Sequence, residues 1–222
     1  CDSKVEIIHN WADAEFIEPK AKSDNWFSEK HGLVDRFTLL YSGNIGLFHD
    51  LETIIRASRE FDPEEFCFLV VGEGDNKESM TALADELGVR RETVKFLPYQ
   101  SYDELPYSLT CADVAVVTIQ EGFEGTCVSS KLYTALATGQ PVLVVAQPDS
   151  DEAHVVEKHD AGVQVSQGDT DALVKQIRDW RENPEIVEKQ GQNAREAFES
   201  QYTKQRSIDA YYDVLVDGSD ES

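Results

Sequence analysis

Positive charge is scarce in this chain: 20 Lys and Arg stand against 43 Asp and Glu in 222 residues, a net charge of −23. Nucleic acid is excluded as a partner held on a broad basic surface, because phosphate contacts need Lys and Arg in numbers. The same charge disfavours adsorption to anionic lipid. Long apolar runs are missing, and none approaches the roughly 18 residues that a membrane span requires. Cysteine is sparse as well: Cys1, Cys67, Cys111 and Cys127 form no CxxC and have no histidine at metal-ligand spacing. Cys67 and Cys111 lie in or beside apolar stretches and read as small core residues, so a reducing compartment, the cytoplasm, is expected. No GxGxxG follows a predicted strand, which disfavours a dehydrogenase or flavodoxin-like reading.

The acid that is present is spread over helix starts, helix faces and turns. Only the last six residues, Asp217-Gly-Ser-Asp-Glu-Ser222, read as a solvated end. Disorder is excluded by compact clusters of Ile, Val, Leu and Phe within a 41 % hydrophobic composition. A folded domain carries so many like charges best where salt screens their repulsion, so a high-salt cytoplasm is expected; an acidic domain from ordinary salt is the alternative. The chain opens on Cys1 with no signal peptide behind it, which suggests a piece cut from something longer.

Hydrophobic periodicity alternates along the chain. Short β-branched runs at 37–41, 66–71, 94–97, 114–119, 141–146 and 163–166 predict strands, each followed by helical spacing. Asp50 is a candidate N-cap for the first helix, Gly88 stops the second, and Ser101-Tyr-Asp-Glu104 has capping-box spacing. Further helices are predicted over 130–137, 151–159 (ending near Gly162), 169–182, 184–200 and 204–216. Near-continuous apolar strands such as Phe66-Cys-Phe-Leu-Val-Val71 are buried on both faces. The pattern gives a single α/β, Rossmann-like, doubly wound parallel sheet of about six strands with extra C-terminal helices. Ligands of such sheets bind beyond the carboxyl ends of the strands. That selects the loops 43–49, 72–75, 98–99, 121–130 and 147–151.

The first of these loops, Tyr41-Ser-Gly-Asn-Ile-Gly46, places two glycines between a strand and a helix, where backbone amides approach an anion; a tight structural turn uses the same residues. Val71-Gly-Glu-Gly-Asp75 is similar. Lys131 is the only Lys or Arg between Lys95 and Lys158, and it stands at a predicted helix start that Ser129 or Ser130 would cap. A cation there opposes the helix dipole, and a bound phosphate removes the conflict; the bland alternative is an exposed lysine on a solvated face.

The order of these motifs resembles the C-terminal, donor-nucleotide domain of GT-B glycosyltransferases, the large retaining group called family 4. Tyr41-Ser-Gly-Asn-Ile-Gly46 with Leu51-Glu-Thr-Ile-Ile-Arg-Ala57, Phe68-Leu-Val-Val-Gly-Glu-Gly74, and Val94-Lys-Phe-Leu-Pro98 carry the resemblance. Its most specific piece, Ser129-Ser-Lys-Leu-Tyr-Thr-Ala-Leu-Ala-Thr-Gly-Gln-Pro-Val142, is similar to the Pro-Ser-Lys subgroup, with Ser129 in place of the proline. The resemblance implies that residues 1–36 lead in from a missing N-terminal acceptor domain. Residues 37–200 then form the nucleotide-sugar-binding unit, 201–216 a C-terminal helix and 217–222 a disordered tail.

The implied partner is a nucleotide-diphosphate sugar, bound as substrate in the cleft between the two domains. No cofactor and no metal are implied, and any catalytic side chain lies in the missing half, as does any membrane association. The implied donor-binding residues are Gly43, Asn44, Gly46, His49, Gly72, Pro98, Tyr99, Glu121, Glu124, Gly125, Ser130, Lys131 and Thr134. Pro98 and Tyr99 face the base, Glu121 and Glu124 are candidates for sugar hydroxyls, and His49 adds charge if protonated. Three departures stand out: Asn44 and His49 occupy positions where many members carry Arg and Lys. The paired glutamates, eight positions apart, fall on Thr126 and Thr134. A nucleotide-sugar epimerase and a degenerate module acting in protein association are the other readings.

If the acidity is an adaptation to salt, thermal unfolding in about 2–3 M KCl occurs several degrees above that in 0.1 M KCl, where repulsion is screened least. Equal midpoints in the two salts would refute it.

Overall fold

The computed structural model describes residues 6–123 and 129–217. Six strands occur in it: β1 (Phe37–Ser42), β2 (Phe66–Val71), β3 (Val94–Leu97), β4 (Val114–Thr118), β5 (Val142–Val145) and β6 (Gly162–Val165). All pairings are parallel, in the order β3-β2-β1-β4-β5-β6. The chain builds outward from β1 to β3, then returns to the centre at β4 and builds the other way. The crevice between β1 and β4 is therefore the switch point of the sheet, where ligands of this architecture bind.

The helices are α1 (Trp26–Lys30), α2 (Glu52–Ala57), α3 (Lys77–Glu86), α4 (Leu105–Leu109), α5 (Ser130–Ala137), α6 (Asp151–His159), α7 (Thr170–Glu182), α8 (Pro184–Gln201) and α9 (Lys204–Asp217). Successive strand residues point to opposite faces, and the core divides accordingly. Leu39, Tyr41, Phe68, Val70, Val116 and Val145 pack with Ile54 and Ile55 of α2, Met80 of α3 and Trp180 of α7. On the reverse face, Val117 and Val144 meet Leu132 and Leu136 of α5 and Phe198 of α8. Leu40, Cys67 and Leu69 meet Phe27, Leu33 and Cys111 on that side.

Local signals act as the sequence predicts in most places. Asp50 accepts from the Thr53 amide at 3.0 Å, two residues ahead of Glu52, where α2 begins. The Ser101 amide and hydroxyl both donate to Glu104, at 3.2 and 2.8 Å. Two details differ. The left-handed residue that ends α6 is Asp160, with φ 48°, rather than a glycine. The short helix α1 was not foreseen; it is held by Asn25, whose side chain accepts from the Phe27 amide at 2.9 Å. The segment before it is tied to the sheet by Lys22, which pairs with Asp113 at 2.6 Å.

Helix α8 lies against the end of α5 through Gly191, where an added Cβ would stand 2.5 Å from the Gly139 carbonyl oxygen. Arg195, one turn on, donates to the Ala137 carbonyl at 2.6 Å and so supplies a cation at the C-terminal end of α5. Gly191→Ala gains about 1 kcal/mol of helix propensity but forces the two helices apart. The expected net outcome is a loss of ~1–3 kcal/mol in urea unfolding, as for other overpacked contacts; a stabilised variant would refute the contact.

Candidate functional site

Backbone hydrogen bonds run past the ends of the strands and lace two glycine turns together. Gly43 donates to the Val71 carbonyl, Gly72 to that of Leu97 and Ile45 to that of Glu73, each at 2.9 Å. The turns touch so closely that a Cβ on Gly72, at φ 155°, would lie 1.9 Å from the Gly43 oxygen, and one on Gly74 2.4 Å from the Ile45 oxygen. Only glycine fits either place. Asn44 lays its side-chain amide between Gly46 and Gly74, and the Tyr41 hydroxyl donates to the Asn44 carbonyl.

Across the switch point, Lys131 in the first turn of α5 reaches back to this turn. Its stem lies on Gly43, where a Cβ would come within 2.5 Å of the lysine Cε. Its ammonium stands 3.1 Å from His49 Nε2 and 5.5 Å from the centre of the Tyr41 ring. The His49 ring meets Tyr41 edge-on at 5.8 Å. An ammonium can only donate, so Nε2 must accept, and the imidazole is neutral with its proton on Nδ1. That nitrogen is buried, faces Gly46 and makes no hydrogen bond. Burial first, and the Lys131 charge second, push the His49 pKa down to about 4, with the Gly46 backbone working the other way. Protonation, the condition on which His49 would add positive charge, is not met in this arrangement: beside Lys131 it is an acceptor.

The start of α5 is also held differently from the sequence reading. Ser129 occupies the N-cap position, but its hydroxyl caps nothing and is buried without a partner. A carboxylate from α6 holds this point: Glu152, 2 % exposed, accepts from the Ser129 amide at 2.9 Å. Burial raises the Glu152 pKa, and the bond from Ser129 opposes that rise.

Two cavities flank the His49–Lys131 contact. One, of about 440 Å³, is lined by His49, Asp50, Glu52, Arg56, Glu121 and Gln167 among others. The other is a narrow cleft of about 90 Å³ between α5 and strands β1 and β4, lined by Ser42, Ser130, Lys131 and Thr134. The structure thus brings Gly43, Asn44, Gly46, His49, Gly72, Ser130, Lys131 and Thr134 around one point. The Thr134 hydroxyl bonds back to the Ser130 carbonyl at 3.5 Å. Pro98 and Tyr99 are exposed at the end of β3, two strands from β4, and the Tyr99 hydroxyl donates to Glu73 O at 3.4 Å. Glu121 joins His49 in the larger cavity. Glu124 and Gly125 lie outside the described residues, as do Thr126 and Cys127.

Sequence reasoning passed over the loop after β6. Gln167 accepts from the Glu121 amide at 2.8 Å and donates to the Ile119 carbonyl. The next residue, Gly168, donates to Thr53 Oγ1 at 2.8 Å. This loop therefore ties the segment after β4 to the start of α2, and both border the larger cavity. The rule about strand ends would have selected it; its composition offered nothing chemical to notice.

The model of the family described as "Glycosyl transferases group 1" matches residues 23–197. WcaI of Escherichia coli (strain K12), named as a glycosyl transferase of colanic acid biosynthesis, is 33 % identical over 141 residues, covering 63 % of this chain and 34 % of that protein. The lipopolysaccharide core biosynthesis glycosyltransferase LpsD of Rhizobium meliloti (strain 1021) is 24 % identical over 216 residues, covering 96 % of this chain and 58 % of LpsD. The chain thus spans between about a third and three fifths of these relatives. Among solved structures, Anabaena Alr3699/HepE in complex with UDP superposes with a TM-score of 0.83 at 15 % identity, over 96 % of this chain and 57 % of that one. Sucrose-phosphate synthase from Thermosynechococcus elongatus gives 0.81 at 19 % identity, over 98 % and 53 %. At such identities the likeness is one of fold: this sheet and its helices match one half of a GT-B architecture.

The depressed His49 pKa has a sign that can be checked. The unfolded chain protonates this residue near its ordinary value of 6.5, whereas the folded chain resists protonation down to about 4. Its contribution to stability is therefore full above pH 6.5 and is lost as pH falls from 6.5 towards 4. His49→Gln removes that component, so the stability difference between wild type and variant narrows across this window. A difference independent of pH would refute it.

Proposed function

This chain belongs to the group 1 glycosyl transferases, and we propose that it is the donor-binding half of an enzyme moving a sugar from a nucleotide-diphosphate sugar to an acceptor in glycan synthesis. The observation that carries this reading is the contact of Lys131, which lines one cavity, with His49, which lines the other, over a glycine turn and beside a helix start. The diphosphate lies at that contact, on Lys131, the glycine turn 43–46 and the positive end of α5. The ribose enters the narrow cleft beside Thr134, with the base towards Pro98 and Tyr99. The sugar occupies the larger cavity, where Glu121 accepts from its hydroxyls.

The chemical task of this half is electrostatic. Negative charge grows on the leaving diphosphate as the sugar–phosphate bond breaks, and a fixed ammonium with preoriented amides stabilises that charge. Transfer proceeds with retention, and the acceptor and any catalytic side chain come from a partner half, so the 222-residue chain alone binds donor and transfers nothing. The relatives named for colanic acid and lipopolysaccharide core synthesis support a cell-surface glycan as the product. The Ser-Ser-Lys start of α5 supports the Pro-Ser-Lys subgroup, and the acidic surface supports a salt-rich cytoplasm as its home.

Titration calorimetry at high salt with UDP-glucose, GDP-mannose and ADP-glucose tests the site. One of the three is expected to bind, and Lys131→Ala to weaken it at least tenfold, the scale of a lost charge-assisted hydrogen bond of ~1.5–3 kcal/mol. Binding by none, or an unchanged affinity in the variant, would overturn the assignment and leave the association module as the better reading.

A further inference from the structure

Resting on the donor-site reading, we infer that binding of the donor diphosphate is coupled to the uptake of one proton by His49, which exchanges the Lys131 ammonium for a phosphate oxygen as its partner. In the unliganded chain Lys131 donates to His49 Nε2 at 3.1 Å, so the only lone pair of the imidazole is spent on the lysine. A diphosphate arriving over Gly43–Gly46 draws the ammonium to itself, since a charge-assisted bond to a phosphate oxygen is stronger than one to a neutral imidazole. Nε2 is then left next to an anion without a donor. Protonation there gives an imidazolium that keeps its Nδ1 proton and donates from Nε2 to the phosphate, supplying the second cation of the site. The proton comes from solvent, and no covalent bond other than N–H forms or breaks.

The groups around His49 decide the direction of the effect. Tyr41 of β1 presents its ring, and burial raises the pKa of its hydroxyl, so it stays neutral. Lys131 of α5 is the adjacent cation among the described residues. Asp50, the Glu52–Arg56 pair of α2, and Glu121 after β4 share the larger cavity with the ring; Asp50 is already engaged by Thr53, and Glu52 by Arg56 at 2.6 Å. The side chains that α3 and the loop after β6 contribute to this lining, Asn76, Met80, Gln167 and Thr170, do not titrate. The imidazole is held neutral first by its burial, which the donor leaves unchanged, and second by the Lys131 charge; a diphosphate acts on the second, replacing a neighbouring cation by an anion. Linkage requires the reciprocal statement: acidification strengthens donor binding.

The test uses a nucleotide-diphosphate sugar, whose diphosphate has no proton to lose near neutrality, so proton exchange reports on the protein. Binding of UDP-glucose, GDP-mannose and ADP-glucose is measured by calorimetry at pH 6 in buffers of low and high ionisation enthalpy. The expected result is a buffer-dependent heat corresponding to ~0.5–1 proton taken up per donor, and an affinity rising towards tenfold per pH unit between pH 7 and 5. His49→Gln is expected to bind with no uptake and a flat pH profile. In case that variant folds poorly, imidazole C–H resonances of the five histidines in the wild-type chain give a second readout, one of them titrating about two units or more higher with donor bound, the shift that an uptake of half a proton at pH 6 requires. Binding with buffer-independent heats, or uptake that persists in His49→Gln, would overturn the proton coupling while leaving the donor site intact. Failure of all three nucleotide sugars to bind would overturn the donor site, and this inference with it.

Discussion

Everything at the carboxyl edge of this sheet rests on the contact between two backbone turns. The parallel ladder does not stop where β1 and β2 end; it continues through Gly43, Ile45 and Gly72, and the turns close to a distance that excludes any side chain. Backbone held this way has its amides engaged and its path fixed. The same closeness leaves a shelf at Gly43 wide enough for the stem of Lys131, which links the first half of the sheet to α5 across the switch point. Strand order, glycine placement and the reach of one lysine are thus a single constraint.

Electrostatics at that point run against the rest of the molecule. Forty-three acids surround 20 bases, yet the cation at the switch point has a neutral imidazole as a partner. Glu152 of α6 is buried and engaged by the Ser129 amide at the start of the same helix that carries this cation. That arrangement fixes the start of α5 without using a hydroxyl cap, and the Ser129 side chain is buried instead of reaching the first turn.

Elements whose signal is local are readable from the chain. The all-apolar strands β2 and β5, the capping box at Ser101 and the bounds of α5, though not its cap, fall where periodicity and local chemistry place them, because the energies involved act within a few residues. Long-range contacts are not readable in that way. Glu152 reaching Ser129 over 23 positions, Gln167 reaching Glu121 over 46 and Lys131 reaching His49 over 82 leave no trace in spacing. For the same reason the sequence left the charge of His49 open: only burial beside an ammonium, seen in the fold, depresses its pKa.

The sequence by itself determined the class of the fold, the succession of strand and helix, the glycine turns and the identity of the lone cation between Lys95 and Lys158. These follow from periodicity, backbone sterics and composition, which are properties of neighbouring residues. Tertiary structure decided what the cation faces, which carboxylate anchors its helix and how the loop after β6 borders the larger cavity. Those outcomes depend on crossing the sheet from β1 to β4, which brings together side chains 82 positions apart and sets their solvation. Solvation, more than residue type, fixed the charge state of the site.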